Sequence, residues 1–215
     1  MKNTVQFQFI DMETYPRRAH FEYFTKLQYP YVGVTVNVDI AEILKYSRRH
    51  RRSFYLTFLH AAALAANRIP QLRQRIRGNR IVEYSECPTS HIEQTDAHAY
   101  CYCTLRHHMS EADYFAQAEA ARQACKTRGI REDEDVESMI FISTVPWLHY
   151  TAMIQPVAGG DESNPRITWG KYTESADGSA LMPVSILAHH ALVDGIHIAR
   201  FYDALEAEIG RYAAL

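Results

Sequence analysis

The feature that most constrains the fold lies near the C-terminus, where a β-type run, a tight turn and a helical run follow one another without a spacer. Residues 181–188 read as a buried strand, and residues 196–210 carry the apolar spacing of an amphipathic helix. Between them stands His189-His190-Ala191-Leu192-Val193-Asp194-Gly195. Two imidazoles are thereby held where a rigid strand ends, a position from which side chains are readily presented to a ligand. With an ordinary pKa of about 6.5, such a ring can accept a proton near neutral pH.

The remaining chain alternates strand and helix signals. Residues 7–10 read as a short strand and residues 13–24 as a helix with Pro16 near its first turn, where the missing N–H costs nothing. Residues 31–39 alternate with period two and are rich in β-branched side chains, so they form a strand, and Asp39 caps the helix that follows. Ser53 opens an Ala-rich helix reaching Asn67, followed by a turn at Gly78-Asn79 and a strand over residues 80–84. Residues 90–95 and 99–105 read as strands, Ser110 caps a helix over residues 111–125, and residues 126–137 read as a charged surface loop. Residues 139–151 form a strand interrupted by Pro146, which demotes it to an edge or bulge.

Composition narrows the functional classes. Apolar residues at 47% and charged residues at 22% describe a globular chain with a real core, expected here as one domain over residues 1–215. A net charge of −2 gives no reason to expect nucleic acid or an anionic membrane as partner. No apolar run approaches the roughly 20 residues that span a bilayer, and no signal peptide opens the chain, so the cytoplasm is expected. The four cysteines contain no Cys-x-x-Cys pair, and free buried thiols are expected, with Cys101 and Cys103 on one strand face. The eleven histidines include no His-Glu-x-x-His and no zinc-ligand spacing, so no metal is expected.

The His-His-x-x-x-Asp-Gly heptapeptide, with Phe201 after it, resembles the signature of the chloramphenicol acetyltransferase family. Four further segments match in the same order: Arg17-Arg18-Ala19-His20-Phe21, Pro70-Gln71-Leu72-Arg73, Ser143-Thr-Val-Pro146-Trp147 and Thr168-Trp-Gly170-Lys171-Tyr172. The resemblance runs from about Tyr15 to about Leu205. On residue type alone, Arg17 and Arg18 would be a solvated helix face and Ser143 a structural serine.

That resemblance implies an α/β fold, a two-layer sandwich of a mostly antiparallel mixed sheet with helices packed on one face. It implies transfer of an acetyl group from acetyl-coenzyme A (acetyl-CoA) to a hydroxyl of chloramphenicol or a similar small alcohol, directly in a ternary complex. His190 matches the general base, and Ser143 the donor that stabilises developing charge on the attacked carbonyl oxygen. Thr168 matches a residue that acts through water. Asp194 pairs with Arg17 and fixes the turn rather than joining a triad, and Phe24 falls at an acceptor-binding position. Tyr55, Trp147, Lys171 and Tyr172 fall at coenzyme positions. Ser53 stands where the family often has Lys, and Arg51 or Arg52 is a substitute for it. A homotrimer with active sites between subunits is implied as well. Residues 154–165 replace an aromatic-rich segment of drug-resistance members, which leaves a different acceptor open. A dehydrogenase-complex transacylase would be expected to bring a lipoyl domain and linker. A non-catalytic relative would be expected to lack one of His190, Ser143 or Thr168.

Overall fold

The computed structural model describes residues 5–94, 100–128 and 135–215. Thr95, Ala99 and the middle of the expected 126–137 loop lie outside the described residues. In chain order the elements are β1 (Phe7–Phe9), α1 (Arg18–Phe24), β2 (Tyr31–Asp39), α2 (Ala41–His50), α3 (Phe54–Asn67), β3 (Gln74–Arg77), β4 (Arg80–Tyr84) and β5 (Thr89–Gln94). They continue as β6 (Tyr100–Leu105), α4 (Glu111–Arg128), β7 (Ile140–Val145), β8 (Arg166–Gly170), β9 (Thr173–Glu174), β10 (Ala180–His189) and α5 (Gly195–Arg211). A small sheet orders β1-β4-β3; the main sheet orders β2-β10-β8-β7-β5-β6, with β9 also pairing β10. The β7 contacts with β5 and β8 are parallel and the rest of the main sheet is antiparallel, so the sheet is mixed.

One face of this sheet is apolar and meets the helices. Trp169 of β8 packs on Phe58 and Tyr55 of α3, with ring centroids 4.9 and 5.5 Å apart. From α5, the Tyr202 hydroxyl donates to the Val184 carbonyl at 2.7 Å. Ile142, Ile167, Val184 and Ile186 are buried on the same face by register. Burying each such side chain stabilises the fold by about 1.5–3 kcal/mol. The α3 helix is buried almost throughout, because its alanines let it approach its neighbours closely. Pro183 is tolerated in β10 because it falls between the ends of two neighbours, β9 reaching Leu181 and β8 starting opposite Val184.

Three expectations are corrected. The first helix starts at Arg18 rather than near residue 13, since Pro16 and the turn at Asp11–Thr14 keep the chain out of helical geometry. The strand bearing Ser143 ends at Val145, ahead of Pro146, and lies inside the sheet between β5 and β8 rather than at an edge or bulge. Cys101 and Cys125 form a disulfide joining β6 to α4, whereas Cys87 and Cys103 are the buried free thiols expected. The reason is tertiary: Cys101 faces α4, and packing brings the two Cα atoms to 5.9 Å, within bridging range. Among the described residues, no helix is long and apolar enough to cross a membrane.

Candidate active site

Two groups of polar side chains occupy the sheet's helix-free face and its end. The first forms where β10 gives way to α5. Asp194 is the N-cap of α5: its Oδ1 accepts from Gly195 N at 2.7 Å, while His197 Nδ1 accepts from Asp194 N at 2.9 Å. This is a capping box closed by an imidazole in place of the usual Glu or Gln. Arg17 Nη1 donates to Asp194 Oδ2 at 2.8 Å, and Nη2 to the His190 carbonyl at 3.2 Å. One guanidinium thus ties the cap to the backbone of the histidine. That guanidinium, with the Gly195 amide, holds the Asp194 carboxyl below the usual carboxylate range.

The two histidines have different states. His189 is buried, accepts from Ala191 N at Nδ1 (3.2 Å) and donates from Nε2 to the Gly160 carbonyl (3.0 Å). Both ring nitrogens are committed, and burial pushes its pKa down. In His190, Nδ1 lies 2.9 Å from the Val193 carbonyl, an oxygen that can only accept. Nδ1 therefore carries the proton of the neutral ring and Nε2 carries the lone pair. Phe24 stacks on this ring, with centroids 3.9 Å apart and planes 22° apart. The geometry gives His190, rather than His189, the free basic nitrogen.

The second group is a row of hydroxyls in register across the sheet: Ser143 of β7 opposite Thr168 of β8, Thr168 opposite Ser185 of β10, and Ser185 opposite Thr35 of β2. Strand alternation places them on the face away from the helices. Thr35 and Ser185 hydroxyls are 2.7 Å apart, Ser185 Oγ donates to the Tyr150 hydroxyl at 3.1 Å, and Tyr150 donates to the Thr168 carbonyl at 2.9 Å. Ser143 is exposed, while Thr168 Oγ1 is buried with no partner. Gly170 lets the 148–150 segment lie this close, because a Cβ there would stand 2.6 Å from the Leu148 carbonyl.

Register keeps the two groups apart within one chain. His190 lies five positions beyond Ser185. At about 3.3 Å each they span about 16 Å, and Ser143 lies two further strands across at about 4.8 Å apiece. Within one chain, then, Ser143 meets Thr168, and Arg17, Asp194 and Phe24 meet His190, but the groups do not meet each other.

The expected coenzyme residues are dispersed. Trp147 is 79% exposed, Lys171 is exposed, and Tyr172 packs edge-on against Phe54. Tyr55 lies on the helix side against Trp169 and His91, and burial raises its pKa. Ser53 caps α3, its Oγ accepting from Leu56 N at 3.4 Å, so the departure from Lys has a local structural reason. Arg48 pairs with Glu174, and Arg52 lies over the Phe115 ring. Sequence reasoning missed Tyr150, Ser185, Thr35 and His197. Only the spacing of His197 three residues after Asp194 was a readable signal.

The fold is that of an acetyltransferase. A solved chloramphenicol acetyltransferase superposes with a TM-score of 0.83 at 24% identity, covering 95% of this chain and 100% of the other. A probable dihydrolipoamide acetyltransferase from Listeria monocytogenes gives 0.69 at 11% identity, covering 93% of each chain. The chain belongs to the chloramphenicol acetyltransferase family, whose model matches residues 5–206. Chloramphenicol acetyltransferase from Klebsiella sp. is 28% identical over 203 residues, 92% of this chain and 91% of that protein. Chloramphenicol acetyltransferase 3 from Escherichia coli is 26% identical over 202 residues, 91% of this chain and 93% of that protein. The protein is accordingly an acyltransferase that takes acetyl-CoA as co-substrate and a small molecule as acceptor.

Proposed function

We propose that the protein moves the acetyl group of acetyl-CoA to a hydroxyl of chloramphenicol or a similar small alcohol, with His190 as general base. The observation that carries this reading is the fixed tautomer of His190: the Val193 carbonyl holds the Nδ1 proton and leaves the Nε2 lone pair to take another. An alcohol is a poor nucleophile until its proton is drawn off, and a positioned base contributes about 10²–10⁴ in rate. His190 Nε2 takes the hydroxyl proton as the new C–O bond forms, and passes a proton to the thiol sulfur as the C–S bond breaks. Ser143 Oγ donates to the carbonyl oxygen as it gains negative charge. Thr168 Oγ1, buried and unpaired, is suited to hold a water against the same reacting groups. The stacked Phe24 fixes the imidazole plane and borders the acceptor.

Coenzyme A would supply the thioester, and Tyr55, Trp147, Lys171 and Tyr172 would hold it. The exposed indole of Trp147 and the unpaired Thr168 hydroxyl are consistent with a ligand at this edge. Residues 1–215 act as one acetyltransferase domain in this reading, in the cytoplasm. Because His190 and Ser143 lie too far apart in one chain, the working site forms between copies, a homotrimer with the base from one subunit and Ser143 from its neighbour. Ile154, Leu148 and Trp147, at 91, 59 and 79% exposed, support a subunit contact on this face.

The test is CoA thiol release from acetyl-CoA with chloramphenicol and with other alcohols. His190→Ala is expected to lower kcat by about 10²–10⁴ with little change in acetyl-CoA binding. Undiminished release by that variant would remove the base from this role. Release with another alcohol, but none with chloramphenicol, would keep the mechanism and replace the acceptor.

A further inference from the structure

Two imidazoles, His190 and His197, bond the same peptide group. His190 Nδ1–H donates to the Val193 carbonyl at 2.9 Å, and the Asp194 N–H donates to His197 Nδ1 at 2.9 Å. The Val193 C=O and the Asp194 N–H are the two ends of one planar peptide. It is trans, so they point to opposite sides. A continuous hydrogen-bonded line therefore runs from the base, through a single peptide, to His197. His197 is 6% exposed, and no step of the transfer uses its ring directly.

An amide N–H can only donate, so His197 Nδ1 holds a lone pair and the neutral ring carries its proton on Nε2. Burial and the charges of Arg17 and Arg200 hold its pKa below the ordinary value, against the opposing pull of Asp194. The usual Glu of a capping box would set a second carboxylate beside Asp194 and compete with it for Arg17. A neutral ring accepts the same amide proton without that contest. Hydrogen bonds in series polarise one another. Accepting from the Asp194 N–H draws electron density onto the Val193 oxygen, which then holds the His190 proton more firmly. The same bond restrains the rotation of the peptide, and so the direction from which its oxygen meets the His190 ring.

We propose that His197 is a positioning residue for the base: through the Val193–Asp194 peptide it orients and polarises the carbonyl that fixes the His190 tautomer. Asp194, which stands four residues after the base, acts on the helix cap and Arg17. The orienting group behind His190 is a backbone carbonyl, and His197 stands behind that carbonyl. The inference rests on the reading of His190 as the base.

The test compares His197→Gln with His197→Met, two unbranched helix formers of which only Gln can accept from the Asp194 N–H. Turnover is read as CoA release per folded molecule, and the His190 ring by ¹⁵N NMR, its signals assigned by their loss in His190→Ala. His197→Met is expected to lower kcat by about 10-fold with little change in either KM, and to mix the His190 tautomers. His197→Gln should restore both kcat and the single Nδ1–H tautomer. In the wild-type protein the Asp194 amide should show a through-hydrogen-bond coupling to His197 Nδ1. Its absence would overturn the assignment whether or not the Met variant folds. A lower melting temperature for His197→Met, with kcat per folded molecule and the His190 signals unchanged, would reduce His197 to a helix cap and overturn it too. So would a Gln variant as slow as the Met variant. No His190-dependent release from the wild-type protein would remove the transfer reading, while the ring signals would still decide the link between the two imidazoles.

Discussion

At the β10–α5 turn the imidazole Nδ1, the Asp194 carboxylate and the His190 carbonyl are all bonded within the chain. On the open face of the sheet, Thr168 Oγ1 is buried with nothing to bond. The first region is largely satisfied before any ligand arrives, although Arg17 Nε is buried without a partner. Its geometry is over-determined by a helix cap, an ion pair and a stacked ring, and only one lone pair faces outward. The second is polar and incomplete, and its loose ends match the places where an acceptor, a water or a neighbouring subunit would make contact. A base must be aimed in advance to act at all, whereas donors that read a substrate are useful only while they remain free.

That contrast can be broken from either side. After loss of the base itself, the largest effect is expected at the open face, where Ser143→Ala removes a donor to the developing oxyanion and should cost about 10²–10³ in kcat. Because Ser143 is exposed and bonded to nothing critical, the melting temperature should hardly move. A Ser143→Ala protein with full turnover, read by thiol release, would strip the hydroxyl row of its catalytic part.

At the turn, the effects should appear in stability as well as rate. Asp194→Ala loses the α5 cap and the Arg17 partner together, and about 1–2 kcal/mol is expected in denaturant unfolding. The Asp194 side chain is 41% exposed, so solvent screening keeps this below the figure for a fully buried pair. The carboxyl's folded pKa is depressed, so its contribution is present above the unfolded value of 3.8 and lost as pH falls through the lower folded one.

The smallest effect is a pH dependence that belongs to the turn rather than to the row, which has no group titrating near neutrality. Burial lowers the pKa of His189 and His197 below 6.5, so the unfolded chain binds their protons more readily than the folded one. Stability is then complete above pH 6.5 and falls as pH drops through the depressed values, with buried His60 and His107 adding the same sign from the helix layer. Thermal melts between pH 7.5 and 5 should decline below about 6.5, and His189→Gln should flatten part of the decline. A melting temperature rising toward pH 5 would contradict the assignment of these rings as neutral.

Legibility in the sequence followed the range of the interactions. The strand–turn–helix unit was readable because its parts are adjacent, and the Arg17–Asp194 pair, though 177 residues apart, was readable only through family resemblance. Ser143 was identified by that same resemblance, yet its strand was misplaced at an edge. Pro146 looks like an interruption until the structure ends β7 one residue earlier. The hydroxyl row could not be seen, because Thr35, Ser185 and Thr168 are ordinary strand residues until register aligns them. The Cys101–Cys125 bridge likewise depends on α4 docking onto β6, and no local pattern announces it.

The central claim is that base and stabilising serine act together although one chain holds them apart, and subunit mixing tests it most directly. Purified His190→Ala and Ser143→Ala proteins, each nearly inactive alone, would be dissociated, mixed, reassembled and assayed for acetyl transfer. The account predicts that activity returns on mixing, because some interfaces then join an intact His190 to an intact Ser143. If subunits exchange, as labelled chains would report, and transfer stays at the level of the separate variants, the base and the serine do not work across an interface and the account is wrong.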